Sequence, residues 1–196
     1  MILAASIGEQ LQAFAACHPE DTTALQEMLA LAARAAEPCS RAHFDPGHFT
    51  ASACILSPSG DEVLLVHHAK LERWLQPGGH IELEDATLLG AAQREVFEEC
   101  GVAPRAPVGA LVAPIDLDIH AIPARGPEPR HLHFDVRYGF VADPDAAVIR
   151  SAESHAVRWF RVEAIAALGV DASAQRMIAR CRRALGHALP LRGGSA

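Results

Sequence analysis

The stretch Pro77-Gly78-Gly79-His80-Ile81-Glu82, followed by Arg94-Glu95-Val96-Phe97-Glu98-Glu99-Cys100-Gly101-Val102, decides how this chain is interpreted. Glu95, Glu98 and Glu99 are spaced i, i+3 and i+4, so a helix places their carboxylates on one face. Like charges at this spacing repel each other, and a hard divalent cation with oxygen ligands would offset the repulsion. The spacing therefore predicts a metal site in preference to a solvated helix face.

The second half of this stretch resembles the signature of the Nudix hydrolases. That signature reads Arg-Glu-aliphatic-x-Glu-Glu-x-Gly-aliphatic, and residues 94–102 match it at every fixed position. The first half departs from it: Asp85 stands where the usual spacing after Gly79 puts a glutamate, and the gap from Asp85 to Arg94 is one residue longer than in the commonest form. No role is carried over to Asp85. Segments similar to those that flank the box in many Nudix proteins are Trp74-Leu75-Gln76-Pro77 and Arg158-Trp159-Phe160.

The resemblance implies an enzyme that hydrolyses a diphosphate linkage in a nucleoside diphosphate derivative, with water attacking phosphorus. It implies Mg²⁺ or Mn²⁺ as the cofactor. Arg94 lies at i, i+4 from Glu98 and is expected to orient that carboxylate. The metal ligands that the resemblance implies are Glu95, Glu98, Glu99 and Gly79, and the catalytic residues are Glu98, Glu95 and Arg94.

Several alternatives stay open at this level. The proton of the attacking water would go to a carboxylate that the metal leaves free, or to one on a distant loop such as Glu153 or Glu128. A non-catalytic nucleotide-binding domain of the same family typically lacks one or more of the box glutamates, and all three are present here. An isomerase acting on an isoprenyl diphosphate would need a cysteine in its pocket, whereas Cys54 lies on an apolar strand and is expected to be a core thiol.

Two further segments, Asp116–His120 and His131–Tyr138, alternate polar and apolar residues. On a strand, this alternation puts the polar side chains on one face, and pairing of the two strands would form a polar wall of three histidines, three aspartates and an arginine. The wall predicts a substrate pocket; the solvated face of an antiparallel sheet and a second metal site built from the imidazoles are the alternatives. The predicted substrate-binding residues are Glu82, Arg73, His120, His131, His133, Asp135 and Arg137.

Composition predicts a single soluble, enzyme-sized domain, and the resemblance implies a small-molecule nucleotide diphosphate as its substrate. The net charge of −7 argues against nucleic acid or an anionic membrane as the main partner. The five cysteines show no Cys-x-x-Cys pair, the N-terminus has no basic leader, and no apolar run is long enough to cross a bilayer. We therefore expect reduced thiols and a cytoplasmic location, with a homodimer as an open arrangement.

Apolar periodicity divides the chain into three parts. Residues 6–36 carry two apolar stripes that predict two helices, with Asp21 at the N-terminus of the second. We expect this hairpin to pack on the main domain, a lid or dimer element being the alternative. The predicted divisions are an N-terminal helical segment over residues 1–42, a Nudix-like hydrolase domain over 43–190 and a disordered tail over 191–196.

The main part interleaves strands with a few helices. The box helix is expected to start at Asp85 or Thr87 and to end before Gly101, and the arginines within residues 180–183 are expected to face solvent. The predicted fold class is α/β (α+β): a Nudix-like α/β/α sandwich with a mixed sheet, preceded by an N-terminal helical hairpin. Predicted strands cover residues 50–56, 62–68, 73–76, 107–112, 115–120, 131–140 and 156–161, and further helices cover 162–168 and 172–185.

Overall fold

The computed structural model describes residues 4–105, 113–152 and 154–188. Its elements follow the predicted order, with helices first, then strands and the box helix, and a long helix last. They are α1 (Ala4–Cys17), α2 (Thr22–Arg34), β1 (Gly47–Leu56), β2 (Glu62–His68), β3 (Arg73–Leu75), β4 (Gly78–His80), α3 (Leu88–Cys100), β5 (Asp116–Ile122), β6 (His131–Val141), β7 (Ser154–Arg161) and α4 (Ala172–Ala188).

A seven-stranded mixed sheet organises these elements. Its main path runs β3-β2-β1-β6-β5, with β4 paired to β1 and β7 paired to β2. Strands β1 and β6 are parallel and the other pairs are antiparallel, including the consecutive strands β1 and β2. Every residue of β1 is buried, as expected for a strand that is covered on both faces.

Alternation along β1 separates two hydrophobic cores. Phe49, Ala51 and Ala53 face the layer formed by α1, α2 and α3. Cys54 and Leu56 face α4, which buries Met177, Ile178 and Cys181 among its own apolar residues. The predicted α/β/α sandwich with a mixed sheet is therefore confirmed, and Cys54 is a core thiol as expected.

The N-terminal helical hairpin packs on the sheet. Ile7, Leu11 and Phe14 of α1 are fully buried in the same core as the central strands, together with Met28 of α2. Asp21 directly precedes α2 as predicted, but its side chain makes no capping hydrogen bond. That carboxylate instead forms an ion pair with an arginine of α4, described below.

Residues 162–168 do not form the predicted α-helix. A 3-10 helix spans Val162–Ala164, and the segment continues through successive i→i+3 hydrogen bonds as far as Gly169. The φ of 72° at Gly169 lies in the left-handed region and stops the segment from continuing as a helix. The prediction of an α-helix here is wrong. The segment is so short that an α-helix would form too few hydrogen bonds to offset the free-energy cost of nucleation.

Some predictions fall outside the described residues: the strand over 107–112, the tail over 191–196 and the role of Glu153. The division into three parts also stays a prediction; in the structure α1 and α2 share a core with the sheet. Within the described ranges, no helix has both the length and the apolar character that a bilayer crossing requires.

Replacing Phe14 with alanine tests how far the N-terminal hairpin stabilises the fold. The ring is fully buried, so we expect Phe14→Ala to lower the free energy of unfolding by about 3–5 kcal/mol. Phe97 is 61% exposed, and Phe97→Ala should change stability by no more than about 0.5 kcal/mol. Chemical denaturation of both variants measures the difference; equal, small losses would show that the hairpin adds little to stability.

Candidate functional site

Helix α3 has well-defined ends that position its acidic face. Of the two predicted starts, Thr87 is the N-cap, and its Oγ1 accepts a hydrogen bond from the Gly90 backbone at 2.9 Å. At the other end Gly101 has a φ of 67°, and its N–H donates to the carbonyl of Phe97 at 2.9 Å. The predicted C-terminal glycine is confirmed.

The two glycines of the Pro-Gly-Gly segment belong to the short strand β4. This strand pairs with β1, with Ser52 opposite Gly78 and Thr50 opposite His80. The backbone N–H of Gly78 donates to Oε2 of Glu99 at 2.9 Å. A Cβ added to Gly79 would lie 2.8 Å from Oε1 of Glu95, so only glycine allows the carboxylate to approach this closely.

Arg94 links the acidic helix to β4 and to the turn before the helix. Its Nε and Nη2 form a bidentate pair with the carboxylate of Asp85, at 3.1 and 2.9 Å. Its Nη1 donates to Glu95 and to Glu98, both at 2.9 Å, and its Nη2 donates to the carbonyl of His80 at 2.9 Å. The predicted contact with Glu98 is present, and one guanidinium offsets three carboxylates.

Asp85 is a residue whose contribution the sequence reasoning missed. Its side chain is 7% exposed and, besides pairing with Arg94, accepts a hydrogen bond from the Glu82 backbone at 2.8 Å. Despite its shorter side chain and the extra residue in the box, the aspartate still reaches the arginine. The sequence did carry a signal for this contribution, because Asp85 occupies the position where the family signature has a glutamate. Glu82 and Arg73, both predicted to bind substrate, have exposed side chains.

Burial and charge divide the acidic groups of this site. Burial raises the pKa of Glu95; Arg94 opposes the shift and the neighbouring Glu98 reinforces it, leaving the pKa above its ordinary value. Burial also acts to raise the pKa of Asp85, but its hydrogen bonds from Arg94 and the Glu82 backbone outweigh that effect and lower it. The side chain of Glu98 is 55% exposed. A cluster of oxygen donors at partly exposed carboxylates suits a hard divalent cation.

The predicted polar wall forms, with Asp116 opposite Arg137 and Asp118 opposite Asp135. Arg137 is only 3% exposed and binds Asp135 at 2.8 Å, Asp116 at 3.1 Å and Asp118 at 3.2 Å. The interpretation as a solvated sheet face is therefore wrong for this half of the wall. The contacts of Asp135 and Arg137 are with each other and with neighbouring side chains, an arrangement that supports the fold and leaves little surface for substrate.

Helix α4 completes this ion network. Nε of Arg176 donates to Asp116 at 2.9 Å, and Arg180 pairs with both Asp116 and Asp21. The side chain of Arg180 is 7% exposed, so its predicted solvent exposure is wrong: carboxylates from distant segments draw it inward. Ser173 joins the network through Asp118 at 2.6 Å. We refer to Asp116, Asp118, Asp135, Arg137, Arg176 and Arg180 as the ion network.

The other half of the wall is an imidazole cluster. The predicted residues His120, His131 and His133 meet two histidines that sequence reasoning missed, and neighbouring ring centroids lie 4.8–5.5 Å apart. Burial and the adjacent imidazoles lower the pKa of His133 to about 2, so its ring is neutral at neutral pH. The imidazole cluster consists of His48, His80, His120, His131 and His133.

Comparison with known proteins gives one family. The family model described as the NUDIX domain matches residues 47–181. Diphosphoinositol polyphosphate phosphohydrolase 3-beta of Bos taurus is 48% identical over 63 residues, and the match covers 30% of this chain and 38% of that relative. The chain thus spans less than half the length of the curated relatives that it matches, which include diphosphoinositol polyphosphate phosphohydrolase 2 of Rattus norvegicus, 47% identical over 53 residues.

Two solved structures share the fold. A hydrolase of the NUDIX family from Clostridium perfringens superposes with a TM-score of 0.53 at 23% identity, over 72% of this chain and 98% of that one. The NUDIX domain of Shewanella oneidensis NrtR, crystallised with ADP ribose, has a TM-score of 0.53 at 19% identity, over 70% of this chain and 87% of that one. At these identities the likeness establishes the fold alone.

Replacing Arg94 with lysine tests its linking role. A lysine keeps the charge but loses the bidentate pair with Asp85 and the branched contacts, so we expect Arg94→Lys to lower the free energy of unfolding by about 1.5–3 kcal/mol. Arg182→Lys is the matched control, because the ion pairs of Arg182 are longer, at 3.5 and 3.7 Å, and its side chain is 38% exposed. Urea denaturation compares the two; equal stability would contradict the linking role.

The pH dependence of unfolding tests the ion network through Asp118. Burial acts to raise the pKa of Asp118, but hydrogen bonds from His120 and Ser173 and the charge of Arg137 outweigh it, holding the pKa well below the ordinary value. A depressed pKa stabilises the folded state above the unfolded value of the group, and this stabilisation is lost as pH falls toward the folded value.

We therefore expect the wild type to lose stability from about pH 5 downward, and Asp118→Asn to show a shallower loss from a lower starting stability. Asp143→Asn, at a side chain that is 48% exposed, is the matched control and should keep the wild-type slope. Thermal unfolding across this pH range measures the slopes, and a wild-type slope in Asp118→Asn would contradict the assignment.

Proposed function

Because the chain belongs to the NUDIX domain family, we propose that it is a metal-dependent pyrophosphohydrolase that cleaves a diphosphate linkage in a nucleoside diphosphate derivative. One observation carries the proposal: Glu95 and Glu99 contact the glycines of β4, and Arg94 holds Glu98 beside them. The non-catalytic alternative, a domain that only binds a nucleotide, would not require all three carboxylates at the strand.

The donor set fits Mg²⁺ or Mn²⁺. Glu95, Glu98 and Glu99 supply carboxylate oxygens, and the lack of a side chain at Gly79 lets the Glu95 carboxylate lie against β4. These glutamates would hold the ion, with Gly79 contributing a backbone oxygen. When bound, such an ion neutralises charge on phosphoryl oxygens and lowers the pKa of a bound water.

The chain also supplies an acceptor for the proton. Glu95 would be that acceptor through a carboxylate oxygen that the ion leaves free, and burial, which raises the pKa of Glu95, favours this role. Because Arg94 donates to Oε1 of Glu95, the proton of the attacking water would go to Oε2. The water oxygen bonds to phosphorus while the bridging P–O bond breaks, and the leaving group departs as a phosphate. The two loop acceptors suggested by the sequence, Glu128 and Glu153, stay predictions.

Substrate choice is the finer part of the proposal. The sequence resemblance favours nucleoside diphosphate derivatives, and the Shewanella structure, which contains ADP ribose, makes that compound a natural member of the panel. The names of the sequence relatives add a diphosphoinositol polyphosphate. A cytoplasmic location also stays a prediction.

A hydrolysis assay on this panel tests the proposal. Release of phosphate or nucleoside monophosphate is measured with Mg²⁺, with Mn²⁺ and with chelator, for the wild type and for Glu98→Gln. We expect metal-dependent release from at least one compound, and a loss of at least about a hundredfold in Glu98→Gln, because an amide is a poorer metal ligand than a carboxylate.

Glu163→Gln is the matched control, since it makes the same change at a glutamate that is 68% exposed and lies outside the site. It should retain wild-type turnover. Tight nucleotide binding without release of product from any compound would favour the regulatory binding domain over the hydrolase.

A further inference from the structure

The imidazole cluster contains a group of three histidines with metal-binding geometry. His48 on β1 is directly opposite His133 on β6, and His80 on β4 is opposite Thr50, two residues further along β1. One ring nitrogen from each histidine lies within 4.8 Å of the others. Zn–N bonds of about 2.0–2.1 Å place two nitrogens of a tetrahedral site roughly 3.4 Å apart, so small side-chain rotations would bring the three onto one ion.

We propose that His48, His80 and His133 bind a divalent transition-metal ion of the Zn²⁺ class, at a site separate from the glutamates of α3. Imidazole nitrogens prefer such borderline ions, whereas Mg²⁺ prefers oxygen ligands. The site would therefore select a different metal from the one proposed for the hydrolytic centre.

His48 supplies the strongest evidence. It is 1% exposed, and its Nδ1 lies 3.1 Å from the carbonyl of His43. A carbonyl only accepts, so Nδ1 carries the hydrogen and Nε2 presents a lone pair. That Nε2 is buried and has no hydrogen-bond partner among the described residues. Leaving a buried acceptor unpaired is costly, and a metal ion would satisfy it; the carbonyl behind Nδ1 is the usual support of a metal-binding histidine.

Strand geometry keeps this group apart from the acidic helix. Gly79 faces Glu95, and neighbouring residues of a strand point to opposite faces, so His80 points to the other side of the sheet. There it shares a face with Thr50 and His48. The two sites nevertheless meet through the backbone, because the carbonyl of His80 accepts the hydrogen bond from Arg94.

The two other histidines of the imidazole cluster, His120 and His131, are held in place by hydrogen bonds. His131 donates from Nδ1 to the carbonyl of Pro129 at 2.8 Å, and Nδ1 of His120 bonds to Asp118 at 3.0 Å. Among the described residues the group has three ligand atoms, so a four-coordinate ion would keep one position open for water or an anion. His80 and His133 are half-buried and His48 is buried, which places the open position on the side of the first two.

A second triad serves as an internal comparison. His67, Glu72 and His155 also lie within 4.8 Å of one another, but the side chains of Glu72 and His155 are 71% and 54% exposed. His155 and Glu72 already bond to each other at 3.0 Å. A surface ion pair explains that group without a metal.

Titration of the metal-free full chain with Co²⁺, followed by displacement with Zn²⁺, tests the site. Excess Mg²⁺ is present throughout to occupy the carboxylates. We expect one equivalent of Co²⁺ to give the visible d–d absorption of a tetrahedral site without a thiolate charge-transfer band, which separates it from binding at the exposed Cys17. Zn²⁺ should also raise the unfolding temperature, since an ion that binds only the folded state stabilises it.

Variants identify the ligands. His80→Gln and His133→Gln should each weaken Co²⁺ binding by at least about tenfold, and His48→Gln should do the same if it folds. His155→Gln is the matched control, and Glu98→Gln separates this site from the carboxylates; both should keep wild-type Co²⁺ affinity. Circular dichroism confirms that each variant is folded.

Several results would overturn the proposal. These are the absence of Co²⁺ binding by the wild type, unchanged affinity in folded His80→Gln and His133→Gln, or loss of affinity in His155→Gln or Glu98→Gln. None of them depends on turnover, so this test and the hydrolysis assay fail independently.

Discussion

The guanidinium of Arg94 is the interaction on which the acidic site depends. Three carboxylates on one helix face and a fourth in the preceding turn would repel one another, and the helix would lose its place against β4. Arg94 binds Asp85, Glu95 and Glu98 and also holds the carbonyl of His80. The helix and the strand are therefore held in register by the protein's own side chains. For the proposed cation, this arrangement would be a preorganised site.

On the opposite face of the sheet, buried charged and polar side chains are accommodated in two different ways. In the ion network, arginines of α4 and β6 pair with aspartates so closely that the buried charges satisfy one another. A few residues away on β5 and β6, histidine side chains replace the charged ones. Neutral rings can be buried together without counter-ions, and among the described residues the lone pair on Nε2 of His48 has no donor. The charges of the ion network are paired with one another, whereas the imidazole cluster presents a ring nitrogen, Nε2 of His48, that a ligand could bind.

Sequence periodicity predicted most of the fold and the acidic part of the site. The i, i+3, i+4 glutamates, Thr87 and Gly101 depend on local rules, and the register of β5 with β6 follows from alternation. What escaped prediction depends on partners that are distant in the chain. His48 is one of three buried polar residues in β1, with Thr50 and Ser52, and only the parallel pairing with β6 brings it to His133. Arg180 resembles any surface arginine until Asp116 and Asp21 are brought to it.

The parallel pairing of β1 with β6 also constrains how the chain reaches this structure. Gly47 to Leu56 pair with Leu132 to Val141, so the middle of the sheet closes only after an intervening stretch that includes β2, β3, β4, α3 and β5 has been made. Contacts of such long sequence separation slow folding, because the loop entropy is lost before the contacts form. During synthesis, one edge of β1, a strand that is fully buried in the folded protein, therefore stays unpaired until β6 has been made. An unpaired strand edge promotes aggregation, so we expect the nascent chain to depend most on chaperones during this interval.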